Sequence, residues 1–211
     1  IDCGVQFTET NTPGIDFILP NTRYLEEHKH KIKGVLVTHG HLDHIGSFPY
    51  IMPRIGNPPV YARLFTSLMI RKRQDKIPNL LPLDLTVVEK ETSVTLGDLT
   101  IEFFGIKKES PSEVGVIIKT PYGDIVHNGT LKLNNKNAIP TEDEEIRYKT
   151  FEDRNTLLLM ADSTSAENPG FSISDAEIYE SIDSQIKDVT TRLTVMTFTS
   201  QIDRLLPVVD I

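Results

Sequence analysis

Val35-Leu36-Val37-Thr38-His39-Gly40-His41-Leu42-Asp43-His44 is the stretch that decides the fold. Its three apolar residues form a compact run of the kind found in a buried strand. A polar turn follows at once, and four of the six residues from His39 to His44 carry side chains that bind metal ions. Four such groups at a strand's end have no use in packing. Alternate residues of an extended turn project to one side, so His39 and His41 can converge on one ion while Asp43 and His44 face a second. The strand supplies a rigid base, and Gly40 and Gly46 are expected to let the backbone bend around the ions.

Working outward, a helix is expected from His44 to about Ile51, ahead of Pro53. Leu64, Phe65, Leu68 and Met69 recur at helical spacing and predict an amphipathic helix, with Arg71-Lys72-Arg73 as its solvated end. From Leu85 to Ile125 the period becomes that of strands. Gly97-Asp98 and Thr120-Pro121-Tyr122-Gly123 carry turn chemistry for two hairpins, the second joining Val114–Lys119 to Asp124–His127. Leu157–Met160 reads as one more buried strand. Ser174 with Glu177 makes a capping box ahead of Ile178, Ile182, Ile186 and Val189, which predicts a helix, and Leu193–Phe198 reads as a strand after it.

The chain has 211 residues, 38% of them hydrophobic, enough for a folded domain with its own core. Its formal charge of −8 gives no general attraction to a polyanion, so any nucleic-acid contact must be local. A single cysteine, Cys3, closes no internal disulfide and favours a reducing compartment, with the cytoplasm as the default. No apolar run approaches the ~18 residues that a membrane span requires. Ile1-Asp2-Cys3-Gly4 reads as the end of a strand, and Leu205–Ile211 breaks off within an apolar segment, so both ends are expected to be cuts in a longer protein.

The His-x-His-x-Asp-His pattern at a strand's end resembles the metal signature of the metallo-β-lactamase superfamily, and further segments resemble its ribonuclease J branch. These are Ile1–Gly4, Pro13–Pro20, Lys31–Gly46 with Pro49-Tyr50, Pro121–His127 and Asp162–Gly170. The resemblance implies an α/β (α+β) fold: an αββα sandwich over residues 1–170, then the start of a β-CASP α/β domain over 171–211. It implies zinc, one or two ions, with His39 and His41 as ligands of one and Asp43 and His44 of the other. Asp162 would be the acidic residue that assists proton transfers, giving Asp43, His44 and Asp162 as the catalytic set. RNA is the implied substrate, cut internally or from the 5′ end. A homo-oligomer, or a hetero-oligomer with a related nuclease, is the implied assembly, with no membrane involved.

Three positions depart from that family pattern. Lys108 stands where a ligand histidine is expected, Thr130 where a carboxylate bridges both metals, and Asp203 where a later histidine is expected. A neutral hydroxyl neither neutralises nor spans two dications. The leading function is a metal-dependent ribonuclease, with Glu109 or Glu113 as candidate replacement ligands. The alternative is a catalytically weakened paralogue that binds RNA or pairs with an active subunit. A third reading, a metal hydrolase of small esters, is opposed by the Asp162–Gly170 segment. His28-Lys29-His30 reads as a solvated helix end and His127 as a structural histidine or one that supports a ligand, while Lys107-Lys108 with Arg71–Arg73 could form a phosphate-facing patch but reads rather as ordinary surface on an acidic chain.

Overall fold

A computed structural model describes residues 1–8, 12–106, 113–130, 139–164, 166–171 and 173–196. The chain divides into two compact units, one formed by Ile1–Thr130 with Asn155–Asp162, the other by Leu131–Arg154 with Ser163–Ile211.

The first unit is built on two larger sheets. β3 (Val35–Leu36), β4 (Val60–Ala62) and β5 (Leu85–Val87) form a parallel sheet in sequence order. β6 (Ser93–Leu96), β7 (Leu99–Phe104), β8 (Gly115–Thr120) and β9 (Gly123–His127) form an antiparallel meander, and β10 (Thr156–Met160) joins β9 in parallel. Both expected hairpins are present, the β6–β7 pair turning at Gly97 with φ 63°. β1 (Gln6–Phe7) and β2 (Phe17–Ile18) form a separate antiparallel pair.

Strand alternation sorts the layers. Val35, Val37, Val60 and Ala62 face a helical layer of α2 (Leu42–Ile45), α3 (Phe48–Ile51) and α4 (Leu64–Gln74), where Ile45, Phe48, Ile51 and Ile70 are buried. Leu36 and Tyr61 face the opposite way, against Ile101, Phe103, Val114 and Val116 of the second sheet. The αββα plan is thus laid down in this unit as helix, sheet, sheet. Fully burying Phe48 or Phe103 contributes ~1.5–3 kcal/mol each.

Three local expectations change. The helix expected from His44 to Ile51 is two four-residue helices, α2 and α3. The break falls at Ser47, whose amide donates to Cys3 O (3.0 Å) and whose hydroxyl donates to Gly4 O, so that amide is lost to the helical ladder. On α4 the fully buried side chains are Thr66, Ser67 and Ile70, while Leu64 and Leu68 face solvent. A Cβ added at Gly40 would lie 3.3 Å from Met69 Cγ and 3.7 Å from Thr66 Cα, so the ligand loop packs closely on this stripe of α4. β10 forms as expected but is exposed at every residue, because it is the edge strand of its sheet.

The second unit contains α5 (Glu142–Glu152) and α6 (Asp175–Ile186). α6 has the expected capping box, with Glu177 N donating to Ser174 Oγ and Ser174 N to Glu177 Oε2 (3.0 Å). Residues 193–196 of the expected final strand are irregular, and its last two residues lie outside the described residues. α1 (Arg23–Glu27), in the first unit, ends at His28, and a 3-10 turn over Lys29–Lys31 follows it, as a solvated helix end requires.

Candidate metal centre

The ligand loop is held from below by the N-terminal segment. Asp2 N donates to Leu36 O (2.8 Å), Cys3 N to His44 O (2.7 Å) and Val5 N to Leu42 O (3.2 Å), so residues 2–5 run beside α2 like an extra strand. A Cβ on Gly4 would overlap the Asp43 carbonyl, so glycine is required there for close approach. Gly40 and Gly46 serve the same end. Neither adopts a positive φ, and Gly46 is helical at φ −64°, so the expected backbone bend is in fact a packing constraint.

Asp2 organises the histidines. Its carboxylate accepts from Thr38 N (2.8 Å), from Thr38 Oγ1 (2.9 Å) and from His44 Nδ1 (2.7 Å). With its proton committed to Asp2, the Thr38 hydroxyl is left to accept from His39 Nδ1 at 3.1 Å. Both imidazoles thereby carry the proton on Nδ1 and keep the Nε2 lone pair available.

Those lone pairs have partners in register with metal chemistry. His39 Nε2 lies 3.2 Å from His41 Nδ1, and His44 Nε2 lies 3.4 Å from Asp43 Oδ2. Two donors ~2.1 Å from one tetrahedral ion are separated by ~3.4 Å. The donor set of imidazoles and one carboxylate suits a borderline dication, and the His39 ring lies 4.0 Å from that of His44 and 4.6 Å from that of His41, so the two close pairs adjoin. Beyond pairs the arrangement stops: among the described residues no group of three or more His, Cys, Asp or Glu is placed to hold a metal. Thr130 closes the β9 end without a carboxylate, and Lys108, Glu109 and Asp203 lie outside the described residues. Glu113 is half-buried just ahead of β8.

Electrostatics favour the neutral, ligand form at His39 and His41 and oppose it at His44. Burial, then the neighbouring His44 and His41, pushes His39 down to about 4, and burial lowers His41, so both are neutral at neutral pH without displacing a proton. For His44 burial works against the charge, but the Asp2 bond and carboxylate outweigh it and raise its pKa. Burial likewise opposes the Asp2 carboxylate, and bonds from His44 and Thr38 overcome it and lower its pKa.

Asp162 follows β10, within electrostatic reach of His44, and its amide donates to Asn128 Oδ1 at 3.3 Å. His127 accepts from Gly129 N at 3.1 Å through Nδ1, which leaves the ring proton on Nε2, and burial lowers its pKa. That arrangement is structural. Sequence reasoning did not single out Asp2 or Asn128 as site residues. The signal for Asp2 was weak: one aspartate near the start, whose φ of 58° becomes visible only in the folded chain.

The metallo-beta-lactamase superfamily profile matches residues 10–164. Ribonuclease J of Thermus thermophilus is 34% identical over 216 residues, covering 99% of this chain and 38% of that protein. Ribonuclease J of Mycoplasma pneumoniae is 32% identical over 211 residues, covering 100% and 37%. The chain therefore spans little more than a third of the curated relatives it matches. Among solved structures, a protein of unknown function from Enterococcus faecalis V583 superposes with a TM-score of 0.67 at 17% identity, covering 99% of this chain and 56% of that one. A strand that ends in paired nitrogen and carboxylate donors, a sheet packed on a sheet and a profile match across most of the chain lead to one conclusion: this chain belongs to the metallo-beta-lactamase superfamily, and within it is similar to ribonuclease J.

Proposed function

We propose that this chain is the metal-binding part of a zinc-dependent ribonuclease that hydrolyses RNA phosphodiesters, by 5′ exonucleolytic or endonucleolytic cleavage, in RNA processing and decay. The observation that carries the reading is the twin donor pairs, His39 with His41 and Asp43 with His44, oriented through Asp2 and Thr38. Similarity to ribonucleases J along nearly the whole chain supports RNA as substrate.

A dication bound there supplies Lewis-acid polarisation of a phosphate oxygen and a water of lowered pKa. The chain's own residues do the rest. His39 and His41 present neutral nitrogens, Asp2 holds the Nδ1 proton of His44 so that Nε2 stays a donor, and the Asp162 carboxylate would take or return a proton beside His44. Two pairs in place of two full ligand sets imply weaker metal binding than the family pattern provides.

Residues 1–170 serve as the hydrolase domain and 171–211 open a β-CASP-type α/β domain. The setting that fits is the cytoplasm, in a homo-oligomer or with a related nuclease subunit. No helix among the described residues is long and apolar enough to cross a membrane.

The test is metal content by elemental analysis, together with chelator-sensitive cleavage of a labelled single-stranded RNA by the full protein. Bound zinc, and cleavage lost in His44→Ala and Asp162→Asn, is the expected result. A protein that binds no metal and leaves RNA intact would overturn it.

A further inference from the structure

Arg73 was expected to belong to a solvated basic helix end, beside Arg71 and Lys72. The structure places it elsewhere. Thr66, Met69 and Arg73 lie on one stripe of α4, and this stripe packs along the ligand loop: Thr66 and Met69 against Gly40, Arg73 against Gly46. Arg73 Nε donates to Gly46 O at 3.2 Å, two residues beyond His44. Its guanidinium lies over the Phe17 ring, 5.6 Å from the centroid, and Phe17 packs on Tyr50 at 5.6 Å and 41°. Complementing the negative end of α4 does not explain this pose, because the Nε bond goes to the ligand loop and not to the carbonyls of α4.

The guanidinium is thus fixed by an aromatic floor and one backbone acceptor. Its two terminal nitrogens make no hydrogen bond or ion pair among the described residues. A planar fork held in this way loses little freedom on meeting an oxyanion, which is what phosphate recognition uses. Arg71 and Lys72, exposed on the same turn, add local positive charge to a chain of net charge −8.

We propose that Arg73 holds a backbone phosphate of the RNA substrate where the ligand loop ends at Gly46, with Phe17 as the platform that fixes its orientation. This rests on the ribonuclease reading above and names how that site grips its substrate. It makes Arg73 a binding residue outside the metal ligands.

The experiment measures binding of a fluorescent single-stranded oligoribonucleotide to the full protein in excess chelator, across a salt series, so that cleavage plays no part. Each phosphate contact on a single strand adds about 0.7 to the slope of log affinity against log salt. Arg73→Met is expected to weaken binding about tenfold at low salt and to lower the slope by about 0.7. Arg73→Lys keeps the charge and the slope but loses the fixed fork, with a fall of about threefold. Phe17→Leu should behave like Arg73→Lys. Arg23→Met, an exposed cation on α1 paired with Glu27, should leave the slope unchanged.

An unchanged slope in Arg73→Met, whatever happens to its melting temperature, makes Arg73 a structural clamp only and overturns the proposal. An equal fall in Arg23→Met makes the binding diffuse and overturns it as well. Wild-type protein that binds no RNA instead brings down the ribonuclease reading on which the proposal stands.

Discussion

Replacing Asp2 by Asn is expected to weaken zinc binding by about ten- to a hundredfold, although Asp2 is not one of the proposed ligands. The Asp2 carboxylate serves Thr38 N at 2.8 Å through one oxygen, and Thr38 Oγ1 at 2.9 Å and His44 Nδ1 at 2.7 Å through the other. An amide has one oxygen. If that oxygen stays on Thr38 N, the NH2 group meets two donors, and His44 relieves the conflict by moving its proton from Nδ1 to Nε2. The hydrogen bond survives in reverse and the metal-binding lone pair is gone. Thr38 loses its 2.9 Å acceptor and keeps only the retained oxygen at 3.2 Å, and turning its proton toward His39 Nδ1 instead drives the same tautomer change there. The loss corresponds to about 1.4–2.7 kcal/mol of binding free energy. Competition between the protein and a chromophoric chelator at neutral pH reads it directly. Thr38→Val removes only the relay to His39 without changing charge, and about a tenfold loss is expected. Zinc affinity of Asp2→Asn within about twofold of wild type would refute the reasoning. A normal affinity in Thr38→Val beside a weakened Asp2→Asn would show that charge, not tautomer, is responsible.

Gly4→Ala drives a methyl group into the Asp43 carbonyl and should destabilise the protein by about 1–3 kcal/mol, seen as a fall of at least ~3 °C in thermal unfolding; an unchanged Tm would show that residues 2–5 do not clamp α2 as described. Burial pushes the Cys3 thiol up to about 12 from 9.0, so its thiolate fraction at neutral pH is down ~10³-fold and alkylation should be slower than that of a free thiol by about that factor, contradicted by labelling at the rate of cysteine itself. Restoring the family pattern with Lys108→His and Thr130→Asp together should raise zinc content per chain in elemental analysis. Loss of zinc in that double variant would mean that Lys108 and Thr130 belong to a different ligand set.

The elements that sequence reading recovered are those whose evidence is local. Alternation in Leu99–Phe104 and the apolar run Val116–Ile118, with turn residues between strands, specify the meander without reference to anything distant. Ser174 and Glu177 announce α6, and Thr141 with Glu144 announces α5 by the same motif, which was legible and went unread. What local evidence misplaced was burial. The apolar residues Leu64 and Leu68 satisfy helical spacing as well as Thr66 and Ile70 do, but it is Thr66 and Ile70 that turn inward, Ile70 into the core of β3, β4 and the short helices and Thr66 beside Gly40. β10 has the composition of a buried strand, since every residue from Leu157 to Met160 is apolar, yet its place at the sheet edge leaves it exposed.

The site divides along the same line. His39, His41, Asp43 and His44 stand within six residues, so spacing alone brings them together, and in the folded chain His39 Nε2 lies 3.2 Å from His41 Nδ1 and His44 Nε2 3.4 Å from Asp43 Oδ2. Asp2 reaches His44 across 42 residues of chain, Asn128 reaches Asp162 across 34, and Arg73 reaches Gly46 across 27. Each is a polar residue whose composition and neighbours look ordinary, and each gains its role from the way strands and helices return to one loop. The ligands therefore speak for metal chemistry in the sequence itself, whereas the residues that set their tautomers and flank them become visible only once the sheet has closed. That asymmetry has a chemical consequence. A proposed ligand pair can be kept while the bridging carboxylate that the family pattern implies is replaced, as Thr130 would do, and the oriented imidazoles remain as long as Asp2 and Thr38 still hold their protons in place.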